Sequence, residues 1–145
     1  MELFDGQVLA GLLVLVVDDE AEARALARVA LERRGAVVAE AASAREARDW
    51  LRAWIPSLVI CDLAMPGEDG LDFVRGLRAS RGPERFCKVI ALSGMRDEYL
   101  RQRSLAAGFD SYVSKSVPVD VLISVLRVAA RSRGFDTAPG IDNKE

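Results

Sequence analysis

The sequence holds no histidine and only two cysteines, Cys61 and Cys87, among its 145 residues. Without imidazole there is no zinc site of the usual kind, no histidine-based nucleophilic triad, and no residue able to carry a phosphoryl group on its own ring. The apolar runs holding the thiols place them at opposite ends of two neighbouring strands, roughly 20 Å apart at about 3.3 Å per residue and far beyond disulfide reach. Both are read as free thiols filling core. Charge of one sign is lacking too. Lys and Arg total 20 against 22 Asp and Glu, and the signs are interspersed, leaving a net charge of -2. That gives no basic footprint for nucleic acid and no polybasic run for a membrane surface, so this chain itself is expected to bind no nucleic acid. A long hydrophobic run is also missing. The longest, Val8 to Val17, contains Gly11, ends in acids and has no basic leader. It is far short of the roughly 20 residues a bilayer span requires, so no membrane insertion and a cytoplasmic location are expected. Whatever chemistry the chain performs must run on carboxylates, hydroxyls and lysine.

What is present is half hydrophobic by residue count, enough for the core of one ordinary domain. The expected organisation is a lead-in arm over 1–11, a folded domain over 12–132, and a disordered tail over 133–145 that lacks any apolar period. Leu12 to Val17 reads as a buried strand ending in Asp18-Asp19-Glu20. A helix follows with Ala23, Leu26, Ala27, Ala30 and Leu31 inward and Arg24, Arg28, Arg33 and Arg34 outward, stopping at Gly35. Ala36 to Ala39 is a weak second strand. Ser43 and Glu46 form a capping box for a helix to about Trp54.

The third strand is the run Leu58-Val59-Ile60-Cys61, which ends in Asp62 and breaks at Pro66-Gly67. A helix bearing Phe73, Val74 and Leu77 on one face comes next. Lys88 to Leu92 is a fourth strand ending in Ser93-Gly94, and a polar helix from about Asp97 runs to a cap at Gly108. Tyr112-Val113 is a short fifth strand ending at Lys115, before a last helix with Leu122, Val125 and Ala129 inward. Five strand–helix alternations imply parallel crossovers and an α/β, doubly wound five-stranded parallel sheet, with the strong runs central and the weak ones at the edges. In such sheets the ligand site lies outside the carboxyl ends of the strands.

Those strand ends carry Asp18 and Asp19, Asp62, Ser93 and Lys115. Taken singly, each has a bland reading as a cap, turn or edge residue; their joint placement on four strands is harder to reach by accident. Three carboxylates a few ångströms apart repel by several kcal/mol even at an effective dielectric of about 20, so the site calls for a cation or for protonation. An all-oxygen set suits Mg²⁺, with Asp19 and Asp62 as direct ligands and Asp18 direct or through water. Lys115 adds a second positive charge beside Asp62, and the Ser93 hydroxyl can donate to a phosphoryl oxygen.

Val-Val-Asp-Asp-Glu at 16–20, Asp-Leu-Ala-Met-Pro-Gly-Glu-Asp-Gly at 62–70, Ala-Leu-Ser-Gly at 91–94 and Gly-Phe-Asp-Ser-Tyr-Val-Ser-Lys at 108–115 resemble the receiver domain of two-component response regulators. The resemblance spans about residues 12–132. It implies a flavodoxin-like (βα)5 fold with strand order 2-1-3-4-5. It further implies that Asp62 accepts a phosphoryl group from the phosphohistidine of a sensor histidine kinase or histidine phosphotransfer protein. Asp18, Asp19, Asp62 and the Ala64 backbone carbonyl would hold Mg²⁺; Ser93 and Lys115 would bind the phosphoryl group. Ser93 and Tyr112 would act as a switch that alters the face made by helix four, strand five and helix five for a downstream protein target. The lead-in and the segment from Leu105 to Asp110 look most like receivers of hybrid sensor histidine kinases. On this reading the chain is no enzyme toward outside substrates but a phosphoacceptor that assists its own phosphorylation and dephosphorylation; a homodimer is compatible with it.

The chain departs from the family at Ser116, where receivers usually have proline after a cis bond, and at Pro118. A non-proline cis bond costs about 2.5–4 kcal/mol, so Lys115-Ser116 is expected to be trans. Ala64 and Met95 stand where the family flanks the path of attacking water, and neither side chain can hold a water by hydrogen bonding, so slow autodephosphorylation is expected. The alternative reading is a phosphorylation-independent pseudo-receiver acting as a protein-interaction module. A hydrolase with an aspartyl nucleophile is a third, but Ala64 stands where such enzymes need a second acid.

Overall fold

The computed structural model describes residues 7–131; the expected tail over 133–145 and most of the expected arm lie outside them. Five parallel strands, β1 (Leu13–Val17), β2 (Val37–Ala41), β3 (Leu58–Asp62), β4 (Lys88–Ser93) and β5 (Ser111–Ser114), form one sheet in the order β2-β1-β3-β4-β5. Helices α1 (Ala21–Glu32), α2 (Ala44–Ala53), α3 (Gly70–Ala79), α4 (Glu98–Ala107) and α5 (Val119–Arg131) connect and follow them, with a short 3₁₀ turn at Pro83–Phe86. This is the flavodoxin-like arrangement.

Because side chains alternate across a strand, the unbroken apolar runs feed two cores at once. Val14, Val16, Leu58, Ile60 and Ile90 meet Leu31 of α1 and Leu126 of α5 on one face. Leu15, Val17, Val59 and Cys61 meet Leu51 of α2 and Phe73 and Val74 of α3 on the other. The weak runs, β2 and β5, are the edges, as their composition implied.

The structure moves some expectations. Leu9, in the expected arm, is fully buried, and its N–H donates to the Arg34 carbonyl at 2.8 Å, so this residue belongs to the core. In α1 the inward stripe is narrower than expected. Leu26 is 73% exposed, because Leu31 with Ala27 covers the sheet. Arg24, expected to face outward, is turned across the end of the sheet with only 17% of its side chain exposed. In α5 Ala129 is buried as expected, but Ile123 and Leu126 take the deep places beside it, with Leu122 and Val125 partly buried one position away. Ser43 accepts from Glu46 N–H as expected, but the Glu46 carboxylate reaches back to Ala42 N–H, one residue before the cap. Cys61 stands opposite Ala91 in the β3–β4 register, so Cys87 is about 14 Å away rather than 20 Å; both thiols are free and buried.

Candidate functional site

All four strand ends named by the sequence converge at one edge of the sheet. Asp62 is the last residue of β3 and stands opposite Leu92, one step short of Ser93 at the end of β4. Asp18 follows β1, and its N–H donates to Ala41 of β2. Lys115 follows β5, its N–H donating to the Ser93 carbonyl at 2.7 Å. Gly70, which opens α3, packs so close to β3 that a Cβ there would lie 2.8 Å from the Asp62 carbonyl oxygen. No side chain fits, and α3 is seated directly behind the aspartate.

Asp18, Asp19 and Asp62 each place a carboxylate oxygen within 4.8 Å of the others. Asp18 and Asp62 are buried and Asp19 is exposed. Lys115 Nζ bridges the buried pair, 3.2 Å from Asp18 Oδ2 and 3.5 Å from Asp62 Oδ1. Asp18 Oδ1 accepts from Glu20 N–H at 2.9 Å, and Asp62 Oδ1 accepts from Ala64 N–H at 3.3 Å. Among the described residues no donor reaches Asp62 Oδ2. Burial pushes the Asp62 carboxyl above its usual range, Lys115 pulls it back and Asp18 pushes it further up. Burial alone would lower the Lys115 ammonium, but Asp62 and Asp18 outweigh it and the net shift is upward, which keeps it cationic.

The Ser93 hydroxyl is buried and accepts from Met95 N–H at 3.1 Å. Tyr112 is half-buried on edge strand β5, and its hydroxyl donates to the Met95 carbonyl at 2.6 Å. Ala64, two residues past Asp62, and Met95, two past Ser93, are both exposed, Met95 at 58%. A cleft of about 200 Å³ between α1 and α5 opens beside the cluster, with Asp18, Asp62 and Lys115 on its wall next to Leu26, Val119 and Leu122.

Sequence reading missed two features. Arg24 donates to the Asp18 carbonyl at 2.8 Å and to Glu40 on β2 at 3.1 Å, fixing the β1–α1 loop to the sheet edge. Its position six residues past Asp18, with Glu40 as the acid of the short second strand, was the available signal. The Ser114 hydroxyl accepts from Ser116 N–H and closes the turn at Lys115. Every peptide bond among the described residues is trans, including Lys115-Ser116, as the cost of a non-proline cis bond implied.

A doubly wound α/β domain with a buried carboxylate pair, a third acid and a lysine at its strand ends defines a class, and comparison with known proteins gives its family. The response regulator receiver domain profile matches residues 14–127, and the chain belongs to that family, the receiver domain of two-component response regulators. An uncharacterized 14.6 kDa protein of Leptolyngbya boryana is 40% identical over 116 residues, covering 80% of this chain and 86% of that protein. The KDP operon transcriptional regulatory protein KdpE of Escherichia coli is 39% identical over 127 residues, covering 87% of this chain and 54% of KdpE. The chain thus spans about half the length of KdpE. Among solved structures, the receiver domain of a signal transduction histidine kinase from Syntrophus aciditrophicus is similar, with 28% identity, a TM-score of 0.76, and coverage of 83% of this chain and 91% of that one. Vibrio cholerae CheY4 is 26% identical with the same TM-score, covering 83% and 99%.

Proposed function

We propose that this receiver domain is a phosphoacceptor switch in which Asp62 takes a phosphoryl group from the phosphohistidine of a sensor histidine kinase or a histidine phosphotransfer protein. The observation that supports this is the unequal engagement of the two Asp62 oxygens by polar partners. Oδ1 is engaged by Lys115 and Ala64 N–H, whereas Oδ2 meets no donor among the described residues and is left as the nucleophile. Oδ2 attacks phosphorus, the phosphorus–nitrogen bond breaks, the imidazole leaves with its electron pair, and an acyl phosphate forms on Asp62. Lys115, held cationic by the two aspartates, stays beside the phosphoryl oxygens as charge develops, and the Ser93 hydroxyl proton can turn to one of them.

The donor set is oxygen only, with two buried carboxylates sharing one lysine, which fits a hard divalent cation and not a soft one. Asp18, Asp19, Asp62 and the Ala64 carbonyl would hold Mg²⁺. When bound, it supplies positive charge to the phosphoryl oxygens. The chain's own residues contribute the nucleophile, the lysine and the hydroxyl.

Output follows from the hydrogen bonds around Met95. Movement of Ser93 toward a phosphoryl oxygen releases Met95 N–H, and the Met95 carbonyl is the acceptor for Tyr112. A charge change at Asp62 is thereby transmitted to the face made by α4, β5 and α5, where a downstream protein reads it. The domain assists its own phosphorylation and dephosphorylation and acts on no outside substrate; it works in the cytoplasm.

The test is mass spectrometry after incubation with acetyl phosphate and Mg²⁺, comparing wild type with Asp62→Asn. One added phosphoryl mass in wild type alone is expected. A folded wild type that gains none, from acetyl phosphate or from a phosphorylated histidine kinase, returns the chain to the phosphorylation-independent module.

A further inference from the structure

Lys115 sits in a turn that Ser114 closes twice. The Ser114 carbonyl accepts from Val117 N–H at 3.2 Å, making Lys115 and Ser116 the central pair of a four-residue turn. The Ser114 hydroxyl accepts from Ser116 N–H at 3.2 Å and lies 2.7 Å from the Ser116 hydroxyl. This second closure spans Lys115 alone. The Lys115 N–H is in turn committed to Ser93, so its backbone is tied on both sides before its side chain leaves for the two aspartates.

A proline after the lysine would restrict that residue's φ through its ring and without any hydrogen bond. Ser116 has no ring and is exposed, so the restriction must come from bonds the turn makes for itself. A serine hydroxyl accepting from the N–H two residues on is a local device of that kind. We infer that Ser114 is a positioning residue for Lys115: its hydroxyl staples the turn and holds the ammonium in line with Asp18 and Asp62. The inference rests on the reading of Asp62 as phosphoacceptor. Ser114 is half-buried at an edge strand, so the staple adds little to the packing of the whole fold. Its effect falls on the fraction of time Lys115 spends aimed at the carboxylates.

The experiment compares wild type, Ser114→Ala, Ser114→Thr and Ser116→Ala by two readouts. One is the rate constant for Asp62 phosphorylation by acetyl phosphate with Mg²⁺. The other, without phosphodonor, is the rate at which an amine-acylating reagent labels Lys115, read by peptide mass spectrometry. Ser114→Ala is expected to phosphorylate about fivefold more slowly and to label Lys115 several-fold faster, the effect of losing roughly 1 kcal/mol of turn closure. Ser114→Thr keeps the acceptor and is expected to restore both rates. Ser116→Ala keeps the N–H donor and is expected to lose less than Ser114→Ala. Wild-type rates for Ser114→Ala in both readouts overturn the inference. So does a loss that Ser114→Thr fails to restore, or a Ser114→Ala protein that no longer folds, since either makes the serine a packing element. If wild type takes no phosphoryl group, the phosphoacceptor reading fails while the labelling rates still decide whether the staple holds Lys115.

Discussion

The Tyr112 hydroxyl donates to the Met95 carbonyl at 2.6 Å, tying edge strand β5 to the loop that leaves β4. The same Met95 donates its N–H to the Ser93 hydroxyl. One peptide segment therefore has the site on one side and the surface aromatic on the other, and removing the phenol oxygen isolates the second tie. Tyr112→Phe is expected to fold normally and to loosen the loop by about 1 kcal/mol, roughly a fivefold loss of amide-exchange protection around Met95. Phosphorylation of Asp62 should continue in this variant. Unchanged protection would show that the phenol merely rests on the loop.

Removing the charge of Asp62 should stabilise the metal-free protein. The folded carboxyl lies above its usual range because burial, with help from Asp18, outweighs Lys115. Its contribution to stability is thus fully present below the unfolded value of about 3.9 and is lost as pH rises through the folded value. Asp62→Asn is expected to melt higher than wild type at neutral pH, by on the order of 1 kcal/mol, and to converge with it in acid. Millimolar Mg²⁺ should narrow the gap from the wild-type side, since a ligand that binds the native state raises its melting temperature. Thermal melts at neutral pH and in acid, with and without Mg²⁺, check all three points.

Lys115 behaves in the opposite pH range. Its folded value is raised net by Asp62 and Asp18, so its stabilisation is complete below the unfolded value of about 10.4 and disappears as pH climbs through the folded one. Lys115→Met should cost about 1–2 kcal/mol at neutral pH, less than a fully buried pair because 29% of the lysine side chain is exposed. The rate of Asp62 phosphorylation should fall about a hundredfold, the usual scale for losing one charge-stabilising donor. Denaturant melts and acetyl phosphate kinetics measure the two effects separately.

The acyl phosphate should be long-lived, because neither Ala64 nor the exposed Met95 can hold a water at the mouth of the site. Placing polar side chains at both, as in Ala64→Asn with Met95→Gln, is expected to shorten the half-life of phospho-Asp62 about tenfold by orienting the attacking water. Decay followed by intact mass after removal of phosphodonor tests this. A half-life that stays the same would place the control elsewhere.

Arg24 holds the Asp18 carbonyl and Glu40 together, while Arg28 also reaches Glu40 at 2.8 Å. The hydrogen bonds from Arg28 and Arg24 hold the Glu40 carboxyl below its usual range, so its stabilisation exists above the unfolded value and is lost as pH falls through the folded one. Arg24→Met is expected to cost about 1–2 kcal/mol at neutral pH, and the deficit should shrink in acid as Glu40 protonates. Parallel melts across that range provide the comparison.

The fold was legible because its central strands are buried on both faces. Val14 to Val17, Leu58 to Cys61 and Val89 to Leu92 have no polar alternation, and only a sheet covered on both sides makes that pattern stable. Asp62 was legible for the same reason, since a carboxylate ending such a run has to emerge at the edge. The inward faces of α1 and α5 were less so. Leu26 and Leu31 both suit a helical stripe, and the crossing of α1 over the sheet selects Leu31. Leu9 looked like part of an arm because its neighbours carry no period, yet the turn after α1 gives it a covered place.

The sequence by itself determined the alternation of elements, the edge at which the acids gather, and the kind of chemistry they permit, because burial and charge repulsion are properties of residue type and order. Only the tertiary structure decided which oxygen of Asp62 is left without a donor among the described residues, that Lys115 bridges Asp18 and Asp62, and that Arg24 turns inward while Leu26 turns out. Those outcomes depend on distances of a few ångströms between segments far apart in the chain. Register, helix crossing and turn closure set such distances jointly, and no local stretch carries them.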